Sequence, residues 1–259
     1  MVSNKKRYFL RLSYDGTNFC GWQNQLNQES VQGTIENALT ILCKSKQSIV
    51  GCGRTDTGVH ADDYYAHWDY SEALDKNIIL KLNAILPRSI AIKDVFEVPL
   101  EINSRFQATQ RTYHYHLHTA KNPFKRLYSY EYPFYPLQTE NLTAVASLIK
   151  EYTEFLPLIK LNKDQPKTNC TILKSQWIQT DETSWYYEVS ANRFLHNMVR
   201  RIVGTCILAG RNRLSLDEIR HSLDTQTEMK YVLLAPSNGL HLVDISYPFL
   251  NKNALSNDK

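Results

Sequence analysis

Asp56 lies in the stretch Gly51-Cys52-Gly53-Arg54-Thr55-Asp56-Thr57-Gly58-Val59-His60-Ala61. Glycines crowded around a carboxylate mark a backbone that turns tightly or lies against something bulky. Arg54 sets a cation two positions before that carboxylate. Ile49-Val50 leads in and a strand-like run at 64–70 leads out, so Asp56 falls on a loop between ordered elements. Catalytic side chains often sit on such loops. On the residues alone the commoner reading of such a loop is a surface turn whose aspartate bonds its own backbone. A second candidate, Arg200, stands in Phe194-Leu195-His196-Asn197-Met198-Val199-Arg200-Arg201-Ile202-Val203-Gly204, where the plain alternative is a solvated arginine on the polar face of a core helix. Tyr113 belongs to Arg111-Thr112-Tyr113-His114-Tyr115, where a core tyrosine is the plain alternative. His114, His116 and His118 recur at every second residue, so they share a strand face and could ligate zinc. No thiol or carboxylate in that strand joins them, and a polar strand face is the simpler reading.

These residues need elements to position them. Tyr8, Leu10, Leu12 and Tyr14 alternate as in a strand, and Asp15-Gly16-Thr17-Asn18 is a turn. Phe19 to Gln25 is a polar loop with Trp22 as aromatic anchor. Ser30 caps a helix whose apolar face is Val31, Ile35, Ala38, Leu39 and Leu42. A helix over 74–86, ended by Pro87, and a strand over 90–98 complete the first half. It reads β-α-β-loop-β-α-β. In the second half, 111–118 is a strand with Tyr113, Tyr115 and Leu117 on one face. An aromatic and proline-rich connection covers 121–138, a helix 139–151 and a lysine-bearing loop 156–169. Strands at 171–180 and 185–191 pair through the 181–184 turn. Apolar residues at helical spacing predict a helix over 194–210, and Ser215 with Glu218 forms a capping box. A last strand spans 240–247, before a polar tail. The expected fold class is α+β, with halves at 1–104 and 105–250 and a tail at 251–259.

Composition bounds the function. The 259 residues suit one large domain or two small ones, and 42% hydrophobic with 22% charged content is that of a globular protein. A net charge of +4 permits a polyanionic partner. The charge is concentrated: Arg193, Arg200, Arg201, Arg211, Arg213 and Arg220 face only Asp217 and Glu218 in that interval. Tyrosine, present 16 times, can stack on bases. Five scattered cysteines without a CxxC pair suggest reduced thiols and a cytoplasmic protein. No apolar run approaches the roughly 20 residues of a membrane helix, and no signal peptide is expected.

The Asp56 stretch resembles the signature G-[AC]-G-R-T-D-x-G-V-H-A of the TruA family of tRNA pseudouridine synthases. Tyr14-Asp15-Gly16, Gly21-Trp22-Gln23 and Val31-Gln32-Gly33 resemble the family's opening. R-x-Y-x-Y at 111–115 resembles its second signature, and F-L-x-x-M-V-R-x-I-V-G at 194–204 its third. Ala235-Pro236-Ser237-Asn238-Gly239-Leu240 extends the match. The resemblance implies two related ferredoxin-like halves forming one mostly antiparallel sheet, with helices on one face and a basic RNA-binding cleft on the other. It implies a homodimeric enzyme that isomerises uridine at tRNA positions 38–40, in the anticodon stem-loop, without cofactor or metal. Asp56 would be the nucleophile and Arg200 its ion-pair partner. Tyr113 would stack on the target base and help at C5. Arg54, His60, Arg193 and Arg201 would bind substrate, Arg201 at a phosphate or as a structural residue. Asp63 and Tyr64 depart from the family's usual Gly and Gln. Asn169-Cys170-Thr171 departs from a Thr-Arg or Arg-Thr pair. A synthase for another RNA, a catalytically silent tRNA-binding protein and a metal-dependent hydrolase built on the histidine strand are the alternatives.

Overall fold

The structure, a computed structural model, describes residues 5–132, 136–159 and 168–250. Among them the chain is an α+β fold with a mixed, open sheet of nine strands and five α-helices. The expected tail, most of the lysine-bearing loop and residues 133–135 of the tyrosine-rich connection lie outside the described residues. The chain divides into two compact units, Met1–Gln110 with Leu242–Lys259, and Arg111–His241.

In the first unit the strand order is β4-β1-β3-β9, formed by β1 (Lys6–Tyr14), β3 (His60–Tyr70), β4 (Ile90–Val98) and β9 (Leu240–Ser246). β1 is antiparallel to both β3 and β4, and β2 (Ile49–Gly51) pairs antiparallel with β3. Leu10, Leu12 and Tyr14 are buried, and so is Phe9 on the opposite face. The sequence alternation leaves Phe9 among the other-face residues. Its ring instead packs against Tyr65, Phe96, Tyr247 and Phe249, which cover that end of the second face.

Helix α1 (Val31–Cys43) begins where expected: the Ser30 side chain accepts the Gly33 N–H, a cap worth about 1 kcal/mol. Helix α2 (Ile78–Ile85) is shorter than the expected 74–86. The Asp75 side chain accepts the Asn77 N–H and the Asp75 carbonyl accepts the Ile78 N–H, so residues before Ile78 form a turn.

The second unit carries β5 (Gln110–His118), β7 (Ile172–Asp181) and β8 (Ser184–Ala191) in the order β5-β8-β7, both pairs antiparallel. A two-residue strand, β6 (Tyr130–Glu131), runs parallel to β5 inside the segment expected to be irregular. Helix α3 (Thr139–Ile149) packs on β7 and on α4 (Met198–Gly210), and α5 (Leu216–Thr225) packs on α3. The Ser215–Glu218 capping box opens α5 as expected.

Helix α4 is buried on nearly every side from Ile202 to Gly210, as a helix apolar all round must be. It starts at Met198, not at 194. Asn197 takes a left-handed conformation with φ 61°, which an asparagine tolerates but a helix interior does not. Gly204 lets a neighbouring segment approach: a Cβ there would lie 1.8 Å from the Leu233 carbonyl oxygen.

Candidate active site

The loop carrying Asp56 runs from β2 to β3, between ordered elements as expected. Two glycine turns from the 15–22 segment hold it in place. Trp22 N–H donates to the Thr55 carbonyl at 3.2 Å, and Gly58 N–H to the Phe19 carbonyl at 3.3 Å. Gly21 has φ +84°, and a Cβ there would sit 2.3 Å from the Thr55 carbonyl oxygen. At Gly16 a Cβ would meet the Val59 carbonyl oxygen at 2.0 Å. The glycines are thus the price of laying one loop directly on another. Gly21→Ala is expected to cost about 1–3 kcal/mol, because neither the left-handed backbone nor the opposing carbonyl can give way. An unchanged urea midpoint would contradict the close approach.

Beneath the loop lies an aromatic floor. Trp22 and Tyr64 stack with ring centroids 4.1 Å apart, and Tyr14 meets Tyr64 edge-on at 5.6 Å. All three are buried. Each phenol also holds the loop: Tyr14 shares a 2.9 Å hydrogen bond with the Thr55 hydroxyl, and Tyr64 donates to the Gly53 carbonyl. Burial pushes the Tyr64 hydroxyl far above its ordinary value, so it remains a proton donor. Asp56 itself is half-buried and Arg54 exposed, its Nε donating to Gln23 Oε1 at 3.2 Å. His60 is buried, and its Nδ1 accepts the Gly16 N–H at 3.1 Å. The same nitrogen lies 3.1 Å from Asp15 Oδ1.

The two departures at the start of β3 are accommodated inside this unit. Asp63 is buried and accepts from Arg11 Nε at 2.6 Å. Tyr64 is part of the aromatic floor. Neither side chain is free to greet a partner. The sequence reading missed Tyr14, Thr55 and Tyr64 as supports; the aromatic anchor at Trp22 was the available signal.

In the second unit Tyr113 is half-buried on β5, opposite Val189, with its ring edge-on to Phe194 at 5.2 Å. Tyr115 is fully buried and its hydroxyl donates to the Pro236 carbonyl at 2.8 Å, a core role. Arg200 is half-buried in the first turn of α4. Its Nε donates to the Ala235 carbonyl at 2.7 Å, and Ala235 N–H returns a bond to the Arg200 carbonyl at 3.2 Å. Arg200 is therefore tied to the 233–236 segment, which also lies against Gly204. Asn238 completes this brace by donating to the Arg126 and Ser129 carbonyls.

Arg201 Nε is buried without a hydrogen-bond acceptor among the described residues. Arg193 is exposed, and the thiol of Cys170 donates to its carbonyl at 2.8 Å. Burial pushes that thiol up to about 12, so it stays protonated. The cysteine at this departure therefore supports the Arg193 backbone. Of the remaining arginines, Arg220 donates to Glu151 and Arg213 lies over Tyr231.

The histidine strand does not gather. His114 and His116 flank Tyr186, while His118 is buried and bonds Ser129 Oγ at 2.8 Å. Among the described residues no group of three or more His, Cys, Asp or Glu side chains is placed to hold a metal ion. No helix among them is long and apolar enough to cross a membrane.

Comparison with known proteins agrees with the loop's signature. Residues 153–248 match a family model described as tRNA pseudouridine synthase. The chain is 40% identical over 245 residues to tRNA pseudouridine synthase A of Bacteroides fragilis, covering 94% of this chain and 97% of that protein. The protein of the same name from Parabacteroides distasonis is 40% identical over 94% of this chain and 96% of its own. The one from Porphyromonas gingivalis is 36% identical over 93% and 97%. Identity at this level over almost the whole of both chains, with the glycine-braced aspartate loop intact, means that the chain belongs to the tRNA pseudouridine synthase A family.

Proposed function

We propose that the protein isomerises uridine to pseudouridine in tRNA, with Asp56 as the carboxylate acting at C1′. The observation that carries this reading is the near full-length similarity to proteins named tRNA pseudouridine synthase A. The reaction breaks the N1–C1′ bond, turns the base and forms a C5–C1′ bond. The C5 hydrogen leaves as a proton and N1 gains one, so atoms and electrons balance without oxidant, nucleotide or metal. The site must supply an ionised carboxylate, retain the detached base and remove the C5 proton.

A carboxylate can trap C1′ covalently, as in retaining glycosidases. Elimination to a glycal uses the same carboxylate as a base. In either route Arg200 pairs with Asp56 and favours its charged form. Tyr113 stacks on the uracil and holds it while it turns. Arg54 holds the place or phosphate of the extruded nucleotide, and Arg193 and Arg201 serve backbone phosphates. His60 acts through the loop: by holding Gly16 it keeps the 15–22 turns on the Asp56 loop. The family's ferredoxin-like halves, basic cleft, cytoplasmic location and homodimeric assembly are part of the same proposal.

The target is the uridine at positions 38, 39 and 40 of the anticodon stem-loop. Neighbouring positions differ in sequence context, so one enzyme serving all three must hold tRNA by shape and phosphate charge. Purified protein given tRNAs with a single uridine at each position is expected to convert all three. Conversion at one position only, or outside the anticodon arm, would point to another site or RNA. Binding without conversion would identify a silent tRNA-binding protein.

A further inference from the structure

Leu26 is 93% exposed, the most exposed large hydrophobic side chain among the described residues. It stands at the tip of a hairpin, between amide residues in the sequence. Gln25 and Gln28 form an antiparallel bridge, leaving Leu26 and Asn27 as the turn, with Asn27 at φ 60°. Turn tips favour Gly, Asn, Asp and Ser, so a leucine there is unusual. The stretch 23–28 reads Gln-Asn-Gln-Leu-Asn-Gln: five amides around one apolar side chain, with no charge.

The hairpin is anchored to the same scaffold as Asp56. Gln32, in the first turn of α1, accepts from Asn24 N–H and Gln23 Nε2, both at 3.1 Å. Gln23 in turn accepts from Arg54 Nε, two residues before Asp56. Trp22, which begins the hairpin's base, donates its N–H to Thr55. The base of the hairpin is therefore tied to the Asp56 loop.

A lone leucine ringed by amides is a poor protein-docking patch, which needs contiguous apolar area. It suits a base stack. An enzyme acting on a base within a helix must extrude it, and apolar side chains inserted at a base step unstack it. Amides both donate and accept, so they can bond the edge of a base left without its partner. We propose that Leu26 is the wedge that parts the neighbouring base step while Arg54 serves the place or phosphate of the departing uridine, with the amides of Gln25, Asn27 and Gln28 bonding the base left behind. This rests on the proposed uridine isomerisation and adds the residue that opens the helix.

The test uses two tRNAs that differ only in the base opposite the target uridine, one paired and one mismatched. Single-turnover pseudouridine formation is measured for wild type, Leu26→Ala and Leu26→Met. Leu26→Ala is expected to lose about tenfold or more on the paired tRNA and several-fold less on the mismatched one, where unpairing is already done. Leu26→Met, which keeps an apolar tip, is expected to recover most of the loss. A second reading uses 2-aminopurine beside the target uridine, with Asp56→Asn in the background to stop the chemistry. Its fluorescence rise on binding is expected to fall in Leu26→Ala at saturating protein. Equal losses on both tRNAs, no loss on the paired one, or an unchanged fluorescence rise would overturn the wedge alone. Wild-type protein that forms no pseudouridine on either tRNA would overturn the isomerase reading, and the wedge with it.

Discussion

Asp56→Ala is expected to lower pseudouridine formation by roughly a thousandfold or more while tRNA binding persists. Asp56→Asn should do nearly the same. Asparagine keeps the shape and most hydrogen bonding of the side chain but neither attacks C1′ nor carries charge. The fold should survive either change. The Asp56 side chain is half-buried, and its loop is held by other groups: the Trp22 and Gly58 amides, the Tyr14 and Tyr64 phenols and the glycine contacts. A thermal midpoint within about 3 °C of wild type is expected for a loop change of this kind. Retained activity within about tenfold of wild type would end the assignment of Asp56 as the reacting carboxylate.

Arg200→Ala is the second large expectation. It should lower single-turnover rates by roughly a hundredfold or more, because the proposed ion pair both orients Asp56 and favours its charged form. Part of any effect will be structural, since Arg200 Nε bonds the Ala235 carbonyl and so braces the 233–236 segment. Losing that bond should cost on the order of 1 kcal/mol, read from the urea midpoint. Arg200→Lys separates the two roles. It keeps the charge but loses the planar fork, so it should recover part of the rate without recovering full stability. Normal activity in Arg200→Ala would refute the pairing with Asp56.

Much of this molecule was legible in its sequence because local chemistry agrees with the fold. The Ser30 cap, the Ser215–Glu218 capping box and the 90–98 strand appear where their residues indicate. Where the reading failed, longer-range or backbone-specific effects decided. Asn197 reads as an ordinary polar residue in a helical run, yet its left-handed conformation delays α4 to Met198. A strand as short as β6 carries no periodicity to detect. At the site, the loop's glycines signalled close approach but could not say to what. The contacts of Gly21 with Thr55 and of Gly16 with Val59 exist only once the chain has folded back on itself. The same holds for Asp63 and Tyr64. Their partners Arg11 and Trp22, distant in sequence, give them roles inside the unit.

The most direct test of the central claim is tritium release from tRNA labelled at C5 of uridine. Joining C5 to C1′ requires that hydrogen to leave, so each pseudouridine formed releases one label to solvent. Purified wild-type protein, with no added metal or cofactor, is expected to release tritium in step with the pseudouridine found in the product. Asp56→Asn should release none above background. Stoichiometric release by Asp56→Asn at the wild-type rate would contradict the account, as would wild-type protein that releases no label from any tRNA.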